Sequence, residues 1–72
     1  MRKKDPILDL HGIQHARVPA IVEKFIHDND LPVKIITGNS DKMKAIVYEV
    51  VEQHNLSHLI PTAHNLGEII VF

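Results

Sequence analysis

Two stretches of helical apolar periodicity, each set between short β-type runs and each introduced by a glycine turn, confine this chain to an alternating α/β fold. Val18, Ile21, Val22, Phe25 and Ile26 recur at i, i+3, i+4, i+7 and i+8, one stripe of a helix whose solvent side carries Glu23, Lys24, His27 and Asp28. Pro19 is tolerated only in a first helical turn, where its missing N–H is not needed. The regular helix is therefore expected to begin near His15 to Val18, after an irregular turn from Gly12, and to stop at Asn29-Asp30 before Pro32. Met43, Ile46, Val47, Val50, Val51 and His54 make the second stripe, with Ser40 or Asp41 as N-cap and Asn55 as its end.

The strands follow from what is left. Ile7 to Leu10 reads as the first, between Pro6 and Gly12. Val33 to Thr37 is the second, ended by Gly38-Asn39-Ser40. Leu59-Ile60 belongs to a short third strand stopped at Pro61, and Glu68 to Phe72 is the fourth, entered through the turn Asn65-Leu66-Gly67. The order is β-α-β-α-β-β. Consecutive β-α-β units imply right-handed crossovers and parallel strands. Crossovers between neighbouring strands put both helices on one side of the sheet, so a two-layer α/β sandwich is expected.

Composition bounds the function. The 72 residues make one domain, 1–72, with no internal repeat or linker. A domain of this size buries a modest fraction of its surface, which favours a homodimer or a larger protein partner. Hydrophobic residues are 44% of the chain, enough for a core, but Phe25, Tyr48 and Phe72 are its only aromatics, so Ile, Val and Leu must build that core. The net charge of −1 gives no global basic field, so an anionic partner must be held by a local patch. With no cysteine, disulfides and thiolate metal sites are excluded. No apolar run approaches the ~20 residues that span a bilayer. The basic start, Met1-Arg2-Lys3-Lys4, lacks the apolar segment of a signal peptide; a cytoplasmic protein with no membrane role is expected.

Chemistry concentrates after the first two strands. Alternation puts Asp9 and His11 on one strand face, with Ile7, and Leu8 and Leu10 on the other. A carboxylate can orient an imidazole and raise its basicity, as general acid/base work requires; alternatively Asp9 stabilises the following turn and His11 is a polar strand end. In a parallel sheet the Thr37-Gly38-Asn39-Ser40 loop emerges at the same edge. Gly38 permits close backbone approach, Asn39 and Ser40 are neutral donors, and the start of the second helix presents N–H groups that favour an anion. Lys42 and Lys44 in that first turn oppose the helix dipole and become useful if a phosphate sits there; the alternative is a capping loop with solvated lysines. Among the six histidines, His11/His15 and His54/His58 are spaced i, i+4, but Gly12 and Asn55 interrupt the helix each pair would need, so no metal site is expected. His27 reads as solvated, and His64 lies in the last loop.

Leu-Asp-Leu-His-Gly at 8–12, opening a small α/β domain, resembles the Smr (small MutS-related) domain family. The resemblance continues through Ala16, the strand and glycine loop Ile35-Ile36-Thr37-Gly38, and the last segment from Ala63 to Phe72. It implies a fold similar to the C-terminal domain of translation initiation factor three, and binding of nucleic acid, DNA or RNA, in a family where several members are nicking endonucleases. It also implies that Asp9, His11 and Gly12 are the first functional motif and that Thr37 and Gly38 begin the second. This chain departs at Ser40, where the family usually has a second glycine, and has one glycine, Gly67, in the final turn.

Three functions follow as expectations. In the first, the domain binds nucleic acid and cleaves phosphodiester bonds. Asp9 and His11 are catalytic, and Gly12, Thr37, Gly38, Asn39, Ser40, Lys42 and Lys44 hold the phosphate. In the second, a degenerate domain binds nucleic acid or a protein without catalysis. In the third, a metal-dependent hydrolase uses Asp9, His11 and His15. No cofactor is called for; Mg²⁺ suits phosphodiester chemistry, but no residue pattern argues for it.

Overall fold

Turn-forming residues set the element boundaries. The computed structural model describes residues 5–60 and 67–72. β1 (Ile7–Asp9) leads through the Gly12 turn and a 3-10 turn (His15–Arg17) into α1 (Val18–Asp28), followed by β2 (Val33–Ile36), α2 (Asp41–Gln53), β3 (His58–Leu59) and β4 (Glu68–Val71). Pro19 occupies the first turn of α1, and the 3-10 turn is the irregular entry the proline demands. Beyond α1, the Asn29 side chain donates to the Phe25 carbonyl at 2.9 Å. Ser40 is the N-cap of α2, its Oγ accepting from the Met43 N–H at 3.1 Å. Asn55 closes α2 in the left-handed region at φ 57°. Its N–H reaches Glu52, and the Leu56 N–H reaches Val51, satisfying the last carbonyls.

The sheet order is β1-β2-β4-β3. β1 and β2 are parallel, as expected for a β-α-β unit. β2 and β3 run in the same direction but are not neighbours; β4 lies between them, antiparallel to both. The third strand falls one residue earlier than the sequence pattern places it, because His58 and Leu59 are the residues in register with Val71 and Ile70. The expected stop at Pro61 and the turn residues Asn65 and Leu66 lie outside the described residues, as does His64.

The two helices pack on one face of this mixed sheet, giving the two-layer α/β arrangement. Leu10, Val33, Ile35, Ile69 and Val71 from the sheet side meet Val18 and Val22 of α1 and Met43, Val47, Val50 and Val51 of α2. Ile21, Phe25, Ile26 and Ile46 flank this core half-buried. His54, which shares the apolar spacing of α2, is exposed instead, because the helix ends there and its Nδ1 lies 2.9 Å from the Val50 carbonyl oxygen. The other sheet face carries Ile7, Leu59 and Phe72, all exposed, around a Lys34–Glu68 pair at 3.8 Å. No helix among the described residues is long and apolar enough to cross a membrane.

Candidate functional site

Register brings three chain segments to one edge. Because β1 and β2 are parallel with Asp9 opposite Ile36, the residues that follow each strand leave at the same end. The Leu10 N–H extends the ladder to the Ile36 carbonyl at 2.9 Å. β4 runs the other way with Glu68 opposite Ile36, so Gly67 arrives beside Thr37. His11-Gly12, Thr37 to Ser40, and Gly67 therefore share this edge, at the starting ends of both helices.

The first turn is built by its own polar groups. Asp9 faces away from the helices, and its Oδ1 accepts from the His11 backbone N–H at 2.8 Å. The Ile13 N–H donates to the Leu10 carbonyl at 3.1 Å, closing the turn around Gly12 at φ 77°. This conformation leaves His11 exposed at the tip. The hydrogen bond found for the Asp9 carboxylate is to backbone, as in the turn-stabilising alternative.

The second turn is held differently. The Thr37 and Gly38 N–H groups both donate to the Gly67 carbonyl, at 2.7 and 3.2 Å. The Thr37 hydroxyl is buried and lies 3.0 Å from the Gly38 carbonyl oxygen and 3.2 Å from that of Gly67, so its one hydrogen serves these two acceptors. Thr37 thus acts inward, fixing Gly38 in the left-handed region at φ 68°. The Gly38 N–H that sequence reasoning offers to a phosphate is already engaged with Gly67. Asn39 is exposed, Ser40 caps α2, and Lys42 and Lys44 stand in the first turn, where helix N–H groups point outward.

Charge adds a feature that the motif residues alone do not give. Arg17 is exposed at the start of α1, whose first turn has no acid. α2 ends with Glu49 and Glu52 close by and has no basic residue in its last turn. Arg17 at the start of α1 and Lys42 and Lys44 in the first turn of α2 oppose the dipole preference, whereas Asp41 in that same turn and Lys24 and His27 farther along α1 follow it. These three cations cost some helix stability and stand at the glycine edge together with the Asp9 and Asp41 carboxylates. Arg17 joins this edge by position, as an exposed cation in the turn just ahead of Pro19.

The histidine pairs serve other purposes. His58 stacks on Tyr48 with ring centroids 4.2 Å apart, while His54 approaches the Val50 carbonyl. His15 sits in the 3-10 turn, and among the described residues no three His, Asp or Glu side chains form a metal-binding group. A groove of about 460 Å³ runs along α1 toward the end of α2, lined by Ala20, Glu23, Lys24, His27, Asp28 and His54. None of the sequence-derived site residues lines it. Its one ion pair, Lys24 to Asp28 at 2.9 Å, holds the Asp28 carboxyl below and the Lys24 amine above their usual ranges through the side-chain hydrogen bond and then direct charge attraction. Both groups are solvent-exposed, so the pair is a surface feature of α1.

The chain matches no protein-family model, no curated protein and no solved structure. The Smr resemblance rests on the motif residues themselves.

Proposed function

We propose that this chain is an Smr-like domain that binds nucleic acid at the glycine edge and nicks it there. The observation that carries the reading is the convergence of His11-Gly12 and Gly38-Asn39-Ser40 at the starts of two helices, beside Arg17, Lys42 and Lys44. A phosphate on this edge would meet the Asp41 and Lys42 N–H groups at the start of α2 and the side chains of Arg17, Lys42 and Lys44, set against the Asp9 and Asp41 carboxylates in a chain that is slightly acidic overall. His11 is the exposed titratable group beside it. It takes a proton from the attacking water or gives one to the leaving oxygen, and otherwise contacts the phosphate. Asp9 supports it by fixing the turn that presents it.

A second reading keeps the binding and drops the cleavage. It is favoured by the Asp9 carboxylate bonding to backbone and by the commitment of the Gly38 N–H to Gly67, which leave a binding edge with less catalytic machinery. Incubating the protein and its His11→Ala variant with labelled single- and double-stranded DNA and RNA, with and without Mg²⁺, separates the two. Cleavage lost in the variant supports the nuclease; a salt-sensitive shift without cleavage supports the binding module. No shift at low salt contradicts both and points to a protein partner.

A further inference from the structure

We infer that Gly67 is the positioning residue of the Gly38 loop, an inference that rests on the nucleic-acid reading of the edge. The three glycines of the chain do different work. Gly12 and Gly38 have φ values of 77° and 68°, and a Cβ at either would meet nothing within 4 Å; they are glycine for conformation. A Cβ at Gly67 would fall 3.0 Å from Gly38 Cα, 3.1 Å from its carbonyl carbon and 3.2 Å from its oxygen. It is glycine for room.

The neighbour that would have to give way is backbone, and it is tied to Gly67 itself. The Gly67 carbonyl accepts from the Thr37 and Gly38 N–H groups and lies within reach of the Thr37 hydroxyl. One residue therefore pulls the loop in by its carbonyl and sets how close it comes by its missing side chain. Two residues on, Ser40 Oγ caps α2 through the Met43 N–H. A displacement of Gly38 by a few tenths of an ångström passes to Asn39, to Ser40 and so to the first turn of α2, where the proposed reading places a phosphate. β4 would thereby set the geometry of a loop it is not connected to in sequence.

The test is Gly67→Ala in isotopically labelled protein, read by thermal unfolding, amide hydrogen exchange and binding to a labelled oligonucleotide that the wild type binds. The variant is expected to unfold cooperatively. Its Met43 amide should exchange about fivefold faster, the change expected if the cap bond is lost, with α1 amides unchanged. Binding should weaken roughly threefold to tenfold, in line with the sensitivity of contacts to sub-ångström misplacement. Unchanged Met43 exchange together with unchanged affinity overturns the inference. If Gly67→Ala fails to fold, Thr37→Val removes the hydroxyl from the same junction at nearly constant shape; faster Met43 exchange then supports the inference and wild-type exchange overturns it. If the wild type binds no oligonucleotide, the proposed function fails, while Met43 exchange still decides whether Gly67 positions the loop.

Discussion

Asp9 shows how a residue can be placed by sequence and still leave its task open. Alternation put it on the outer face of β1, and the structure keeps it there. The alternatives of orienting an imidazole or stabilising a turn depend on a side-chain torsion that no spacing encodes; the carboxylate lies on the His11 N–H at 2.8 Å. Replacing Asp9 with Asn keeps an acceptor for that N–H and should leave urea unfolding close to wild type, whereas Asp9→Ala should cost about 1 kcal/mol. A large loss in Asp9→Asn would mean that charge, rather than the turn bond, is what the position supplies. Ser40 and Asn55 were legible for the opposite reason. A cap hydroxyl and a left-handed terminator act within a few residues, so local chemistry determines them.

At the scale of elements, periodicity carried both helices, because the stripe facing a core repeats every 3.6 residues, while the Pro and Gly punctuation located the strands, the third of them one residue late. It did not carry the place of β4. The pairing of Ile36 with Glu68 joins residues far apart in sequence, and an apolar pattern is the same whichever neighbour a strand finds. For the same reason Gly67 could be read as a turn residue but not as the acceptor for Thr37 and Gly38. The two sheet faces should differ sharply in cost. Ile35, fully buried against the helices, should lose about 2–4 kcal/mol on truncation to Ala, while Ile7→Ala on the outer face should stay within about 1 kcal/mol; denaturant midpoints measure both. On α1, Lys24 holds Asp28 below the ordinary aspartate value of 3.8. The stabilisation linked to Asp28 is therefore present above that value and is lost as pH falls through the lower, folded one. Lys24, raised above 10.5, contributes fully below that value and ceases to contribute as pH rises past its folded value. An NMR titration of the Asp28 carboxyl should show a midpoint below 3.8 that returns toward it in Lys24→Gln.

For the whole molecule, net charge is a poor guide. A chain at −1 still places Arg17, Lys42 and Lys44 where both helices begin, beside Asp41, and carries Glu23, Lys24, Asp28, Glu49 and Glu52 farther along them. The glycine turns and the helix starts share an edge because β1 and β2 are parallel and both crossovers return over one sheet face. Those three cations, set against Asp9 and Asp41, are what the proposed binding edge offers an anion. The most direct test of the account is the salt dependence of oligonucleotide binding by the wild type and by a Lys42→Ala/Lys44→Ala double variant. Affinity should fall steeply with salt in the wild type, and the slope of log K against log salt should lessen by about 1.5 in the double variant, the loss of two phosphate contacts. Wild-type binding with the same slope in both proteins would place the nucleic acid elsewhere, and no binding at low salt would contradict the account at its centre.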